Sequence, residues 1–234
     1  MSAPRRDGQP YLMQPDEMIV LMGGGVESTT LLGDTLTAGA TAVPVFVECG
    51  LLWERGGRRA VEETCRYLAS PRLRELTIVT VDLSELMPRH LVGEPRLAPT
   101  VETSAQLEVP LRNLMLTSIA ANAFRHRGPV TLRIGTTADN SFGDGSRAFF
   151  DACEEVLSLD LGVAVRIETP FIDRAKWQVI QSSDPQLLSR SWSCVSPTAT
   201  EHCGRCVKCR RRHEAFCRAG VPDPTRYETP PDIR

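Results

Sequence analysis

Residues 21–32 read "LMGGGVESTTLL", and the fold turns on how that corner is understood. Three glycines separate an apolar, strand-like run (Met18 to Met22, "MIVLM") from a helix-like run over about Glu27 to Ala38. Glycine adopts backbone conformations that other residues resist, and it lets a ligand approach the main chain closely. The first amides of a following helix, together with its dipole, form a site for phosphate. Ser28, Thr29 and Thr30 add hydroxyl donors. The corner is not a Walker A loop, because no Gly-Lys-Ser or Gly-Lys-Thr follows, and the Rossmann G-x-G-x-x-G spacing fails. On the glycines alone, a phosphate cradle and a plain tight turn both fit.

Working outward, strand-like and helix-like stretches alternate. A second strand is expected over Ala42 to Val47 and a helix near Gly57 to Ala69. Then come a strand over Leu76 to Leu83, a helix near Arg112 to Arg127 and a strand over Thr131 to Gly135. A helix over Arg147 to Leu159, the short strand "VRIET" and a helix over about Asp173 to Gln181 complete the series. This alternation predicts an α/β fold: a doubly wound parallel sheet with right-handed crossovers and helices on both faces. Such sheets bind ligands at the carboxyl ends of their strands. Met87 to Pro110 holds four prolines and reads as a long irregular loop of the kind that forms lids. The chain divides into a loose leader (1–17), an α/β domain (18–188) and a small cysteine-rich helical appendage (189–234).

The bulk numbers restrict the function. At 234 residues, with 41% apolar and 24% charged, the chain reads as one large globular domain with an appendage. A net charge of −2 argues against a globally basic nucleic-acid binder. No apolar run is long enough for a membrane span, and the N-terminus lacks a secretory h-region, so the expected location is cytoplasmic.

Eight cysteines are unevenly placed. Cys49, Cys65 and Cys153 are scattered, whereas Cys194, Cys203, Cys206 and Cys209 follow a C-x8-C-x2-C-x2-C spacing, with Cys217 beyond. Four thiolates so spaced match a closed tetrahedral zinc site. An iron–sulfur cluster uses the same ligand types, and thiols without metal are the third reading. His202 and His213 are read as bystanders to a complete thiolate set. The run "CGRCVKCRRRHEAFCRAG" is basic, which fits a solvated helix face or a contact with phosphate.

The glycine corner resembles the S-G-G-x-D-S pyrophosphate loop of the PP-loop ATP pyrophosphatase superfamily, with Gly23 in the serine place and Glu27 in the aspartate place. Within that superfamily, "SWSC" followed by "HCGRCVKCRRRHEAFCRAGVPDPTRY" resembles the zinc-binding end of the 7-cyano-7-deazaguanine synthase family. "VPLRN", "IGTTADNSFGDGSRAFFDACEEVLSL" and "IETPFIDRAKWQVI" are similar to further elements of that family, in the same order. The resemblance spans about Met18 to Tyr227. It departs after the second strand, where "ECGLLWERGG" replaces a D-Y-G-Q-R-H type segment, and this marks a divergent branch.

The resemblance implies an adenine nucleotide alpha hydrolase-like PP-loop fold and an ATP-dependent ligase. Family members adenylate the carboxylate of 7-carboxy-7-deazaguanine, form the amide with ammonia, and dehydrate it to the nitrile with a second ATP. It also implies ATP, Mg²⁺ and Zn²⁺ as cofactors and a homodimer. Gly23, Gly24, Gly25, Ser28 and Thr29 would cradle the pyrophosphate, Glu27 would stand near the metal, and Lys176 would reach the phosphates. Arg112 would face ATP or the substrate carboxylate with Asn113 beside it, while Asp139 and Ser141 would meet the purine-like base. Cys194, Cys203, Cys206 and Cys209 would hold the zinc. Phe142 and Phe149 read as core residues. Other readings are the same adenylation with another acceptor amine or stopping at the amide, a non-catalytic nucleotide- or RNA-binding module, and a thiol-transferring tRNA enzyme.

Overall fold

β-branched residues dominate the strand segments and set the sheet. The computed structural model describes residues 17–92, 100–196 and 200–232. Five strands form one sheet in the order β3-β2-β1-β4-β5: β1 (Glu17–Leu21), β2 (Thr41–Glu48), β3 (Thr77–Thr80), β4 (Val130–Arg133) and β5 (Val165–Glu168). All four pairings are parallel. The chain winds to one side of β1 through β2 and β3, then returns to the other side through β4 and β5. This reversal opens a crevice at the carboxyl ends of β1 and β4, where open α/β sheets bind ligands. The predicted doubly wound sheet is therefore observed.

The helices are α1 (Val26–Thr37), α2 (Glu54–Leu68), α3 (Arg112–Phe124), α4 (Arg147–Leu161), α5 (Lys176–Ser182), α6 (Pro185–Arg190) and α7 (Val207–Ala219). Alternating residues of the central strands feed two cores, as a period of two requires. Ile19, Val43, Val45 and Val47 pack with Ala120 and Phe124 of α3 and Phe150 of α4 on one face. Val20, Ala42 and Phe46 pack with Leu31 of α1, Ile180 of α5, Leu188 of α6 and Phe216 of α7 on the other. The cysteine-rich end of the chain thus contributes α7 to the core under β1.

Several element boundaries differ from the sequence reading, each for a local reason. The helix expected from Asp173 begins at Lys176, because Phe171 to Arg174 form a hydrogen-bonded turn, Arg174 N–H donating to the Phe171 carbonyl at 2.9 Å. α2 begins at Glu54, three residues before the expected Gly57, and β3 is half as long as expected. α3 stops at Phe124 and tightens into a 3₁₀ turn over Arg125–Arg127. α6 was not expected, although Asp184 caps it by accepting from the Gln186 amide and Pro185 occupies its first turn. Within the long loop, two 3₁₀ turns form at Arg89–Leu91 and Ala105–Leu107, and positions 93–99 lie outside the described residues. Most of the expected leader also lies outside them. Among the described residues no helix is long and apolar enough to cross a membrane.

Candidate active site

The glycine corner is held from three sides. Gly24 adopts φ 77°, and an added Cβ there would collide with the carbonyl oxygen of Gly57 in α2. Gly135, just past β4, lies so close that its Cβ would meet the Glu27 carbonyl carbon at 2.9 Å. The Trp192 amide donates to the Gly24 carbonyl at 2.7 Å, tying the corner to the segment that enters the cysteine cluster. Gly23, in contrast, has nothing within 4 Å of an added Cβ. Inside the turn, Ser28 Oγ accepts from the Gly23 amide and donates to the Gly25 carbonyl, both at 3.3 Å.

A cavity of about 590 Å³ opens over this corner. Gly23, Gly25, Glu27 and Ser28 line it, together with Arg112, Asn113, Asp139, Ser141 and Lys176. Residues far apart in sequence thus converge as expected. Gly24 and Thr29 do not line it. Thr29 is buried with an unpartnered hydroxyl, and Thr30 instead bonds Ser183 at 2.7 Å.

Lys176 Nζ donates to Glu27 Oε1 at 2.7 Å across 149 residues of sequence. Burial alone would raise the Glu27 carboxyl, but the Lys176 ammonium, helped by Lys208, holds it below the usual carboxylate range. Asp139 accepts from the Lys176 amide and so anchors the start of α5. Asn113 is fixed in the same way at the start of α3, its amide donating to Asp144 Oδ2 at 2.9 Å and its side chain to the Asp144 carbonyl at 2.8 Å. The residue before Arg112, Leu111, sits at φ 59°, a left-handed conformation costing on the order of 1 kcal/mol for such a side chain. Arg112 enters the cavity from there, with its Nε buried and unpartnered.

Other lining groups were missed by the sequence reading. Phe142 was read as core but lines the cavity, as does Trp53 in the divergent "ECGLLWERGG" segment. Glu54 closes that segment by accepting from the Cys49 and Gly50 amides at 3.0 Å. Burial, the Glu54 hydrogen bond and its charge push the Cys49 thiol up to about 12. Lys208 and Arg211 of α7 also line the cavity. Burial, then repulsion from Lys176, pushes Lys208 down to about 8.

Behind the cavity wall, the sulfurs of Cys194, Cys203, Cys206 and Cys209 lie within 4.8 Å of one another and all four residues are buried. A tetrahedral ion with metal–sulfur bonds near 2.3 Å needs sulfurs about 3.8 Å apart. Cys203 and Cys209 stand at 3.9 Å, so the set fits a metal ion. Amide hydrogens of Ser196 and Cys203 point at Cys194 Sγ, and that of Cys206 at Cys203 Sγ, all at 3.4 Å, which favours thiolates. Hydrogen bonding among the four lowers the Cys203 and Cys206 thiols and raises those of Cys194 and Cys209, so the set shares its protons unevenly. His202 is outside the set: it accepts from the Ser193 amide at 3.0 Å and packs 4.5 Å from the Trp192 ring. His213 bonds Asp223 instead.

Residues 17–220 match a family model, Queuosine biosynthesis protein QueC. The chain belongs to the QueC family. Its curated relatives include the 7-cyano-7-deazaguanine synthase of Caldicellulosiruptor bescii, 30% identical over 90% of this chain and 96% of that one. Another is 7-cyano-7-deazaguanine synthase 1 of Sphingopyxis alaskensis, 29% identical over 92% of this chain and 100% of that one. Among solved structures, a predicted subunit of tRNA methyltransferase from Methanocaldococcus jannaschii aligns with a TM-score of 0.45 at 13% identity, covering 70% of this chain and 72% of that one. These relatives align along nearly the whole chain, and identities near 30% agree with a divergent branch.

Proposed function

We propose that this QueC family member is an ATP-dependent ligase that adenylates the carboxylate of 7-carboxy-7-deazaguanine, forms the amide with ammonia and dehydrates it to 7-cyano-7-deazaguanine. The observation that carries the reading is the meeting of Lys176 with the glycine corner at the carboxyl end of β1. A carboxylate is a poor electrophile because its oxide leaves badly, and ATP supplies the chemistry that converts this oxide into a phosphate ester. The protein's part is electrostatic: to hold the charge on pyrophosphate and AMP with amides and cations and to orient the acceptor.

In this reading the Gly25 amide, Ser28 and Lys176 bind the polyphosphate at the open Gly23 turn, and Glu27 would hold Mg²⁺ through a hard oxygen ligand. Arg112 offers a planar guanidinium to an anion. Asp139 and Ser141 stand at the cavity edge available to the base. The four buried cysteines would hold Zn²⁺ in a closed structural site. Thiol transfer is disfavoured, because Cys49, the cavity cysteine outside the cluster, has its thiol pushed up to about 12 and is protonated near neutral pH.

The test is incubation of the protein with Mg²⁺-ATP and 7-carboxy-7-deazaguanine, with and without ammonia, following pyrophosphate, AMP and product mass. Substrate-dependent pyrophosphate and a nitrile product are expected. No substrate-dependent pyrophosphate would sink the reading, and amide without nitrile would replace it by the truncated reaction. The homodimer and the cytoplasmic location belong to the same proposal.

A further inference from the structure

The sequence contains 27 lysines and arginines, yet only two of them, Lys176 and Lys208, are lysines. Both line the same cavity. Every other basic position uses arginine, including all those on the outer surface. Both side chains bind phosphate, lysine as a compact point charge and arginine through a planar, bidentate fork.

The charge inventory of the cavity sharpens the contrast. Four of its acids each accept from a protein group: Glu27 from Lys176, Glu54 from the Cys49 and Gly50 amides, Asp139 from the Lys176 amide and Asp144 from the Asn113 amide. Glu214 on α7 is the remaining lining carboxylate. Among the described residues, Lys208 forms no ion pair or hydrogen bond with a protein group, and the buried Nε of Arg112 has no partner. Five cations, Arg112, Lys176, Lys208, Arg211 and Arg218, thus line the cavity, and among the described residues only Lys176 of these has a carboxylate partner. Holding like charges together in a partly buried cavity costs free energy that a bound polyanion returns.

We propose that Lys208 is a second phosphate-binding residue of the cavity, acting with Lys176 on the pyrophosphate portion of a nucleoside triphosphate. The inference rests on the ATP reading of the site and adds a residue to it. Lys208 lies between Cys206 and Cys209, so the turn that gathers the sulfurs also sets where its side chain begins. Sequence alone presented it as one cation in a basic helix.

Equilibrium binding of ATP, inorganic pyrophosphate and AMP, each with Mg²⁺, tests this on wild type, Lys208→Met and Lys208→Arg. Wild type should bind ATP and pyrophosphate. Lys208→Met should weaken both roughly ten- to a hundredfold, the size of one charged hydrogen bond, with less effect on AMP and partial recovery in Lys208→Arg. Equal ATP and pyrophosphate affinity in wild type and Lys208→Met would overturn the role of Lys208 while leaving the ATP reading intact. Failure of wild type to bind either would overturn both. A second readout does not depend on a variant folding. Reductive methylation followed by peptide mass spectrometry reads both lysines directly, and ATP should protect Lys208 as well as Lys176. Protection of Lys176 alone would overturn the proposal.

Discussion

Gly24 and Gly23 are neighbours with opposite tolerances. A side chain at Gly24 meets both a left-handed φ of 77° and the backbone of Gly57. Gly24→Ala should cost about 2–4 kcal/mol, combining left-handed strain with overpacking, measured by denaturant unfolding. Gly23→Ser, in open space, should stay within about 0.5 kcal/mol of wild type. The pair Glu27 and Lys176 makes a second residue-scale prediction. Their side chains are 21% and 18% exposed, so removing one leaves the other largely buried and unpaired. Lys176→Met should lower pyrophosphate release roughly a hundredfold or more and also reduce stability. Adding Glu27→Gln should recover the stability but not the rate, a split that unfolding and product assays would read together.

The glycine corner, the lysine element and the four cysteines were legible at this scale, the cysteines from their spacing and the other two from the resemblance of their motifs to a known family. Lys208 was not. Its signal was the rarity of lysine in the whole chain, which a reading of the basic run alone overlooks. The capping of Asn113 by Asp144 was also hidden, since it joins residues 31 apart through tertiary packing.

Among the elements, α7 does three things at once. Its N-cap and first turn carry Cys206 and Cys209, one side presents Lys208 and Arg211 to the cavity, and Phe216 fills the core. Arg212, 1% exposed, fastens the helix by donating to Ser191 Oγ at 2.8 Å, Thr225 Oγ1 at 2.6 Å and the Leu188 carbonyl at 3.0 Å. Trp192 joins this region to the glycine corner through its amide, and its indole N–H donates to the Cys194 carbonyl at 2.8 Å. Chelation that strips the cysteine cluster should therefore lower the melting temperature and change Trp192 emission, and readdition of metal should reverse both. Tryptophan fluorescence of Trp53→Phe, Trp177→Phe protein isolates the reporter. Unchanged emission and melting after verified metal loss would show that the cluster does not support α7. Helix and strand alternation was legible from periodicity, while α6 was passed over despite an Asp-Pro start, because six residues are too few to display a helical face.

Over the whole molecule, acid stability follows chiefly from two depressed carboxyls that are at least partly buried. Burial would raise Asp223, but hydrogen bonds from Thr225 and Tyr227 and the Arg212 charge hold it below its usual value, as Lys176 does for Glu27. A carboxyl depressed on folding contributes stability that is fully present above its unfolded pKa, about 4, and lost as pH falls through the folded value. Stability should therefore be nearly level from pH 7 to 5 with respect to these groups and fall below about pH 4. Asp223→Asn should flatten that acid limb, as denaturant titrations at each pH would show.

The sheet order was legible only in part: alternation foretells parallel strands, but the reversal on either side of β1 depends on contacts no local pattern records. The packing of Phe216 and Ala219 with Val20 and Leu31 has a temporal meaning. A chain leaving the ribosome exposes β1 well before α7, so part of the apolar surface beneath that strand stays uncovered until α7 is made. Closing so long a loop is entropically costly before any contact repays it, which places this fold among the slower ones. Until α7 arrives, that uncovered surface is the segment a holding chaperone would recognise.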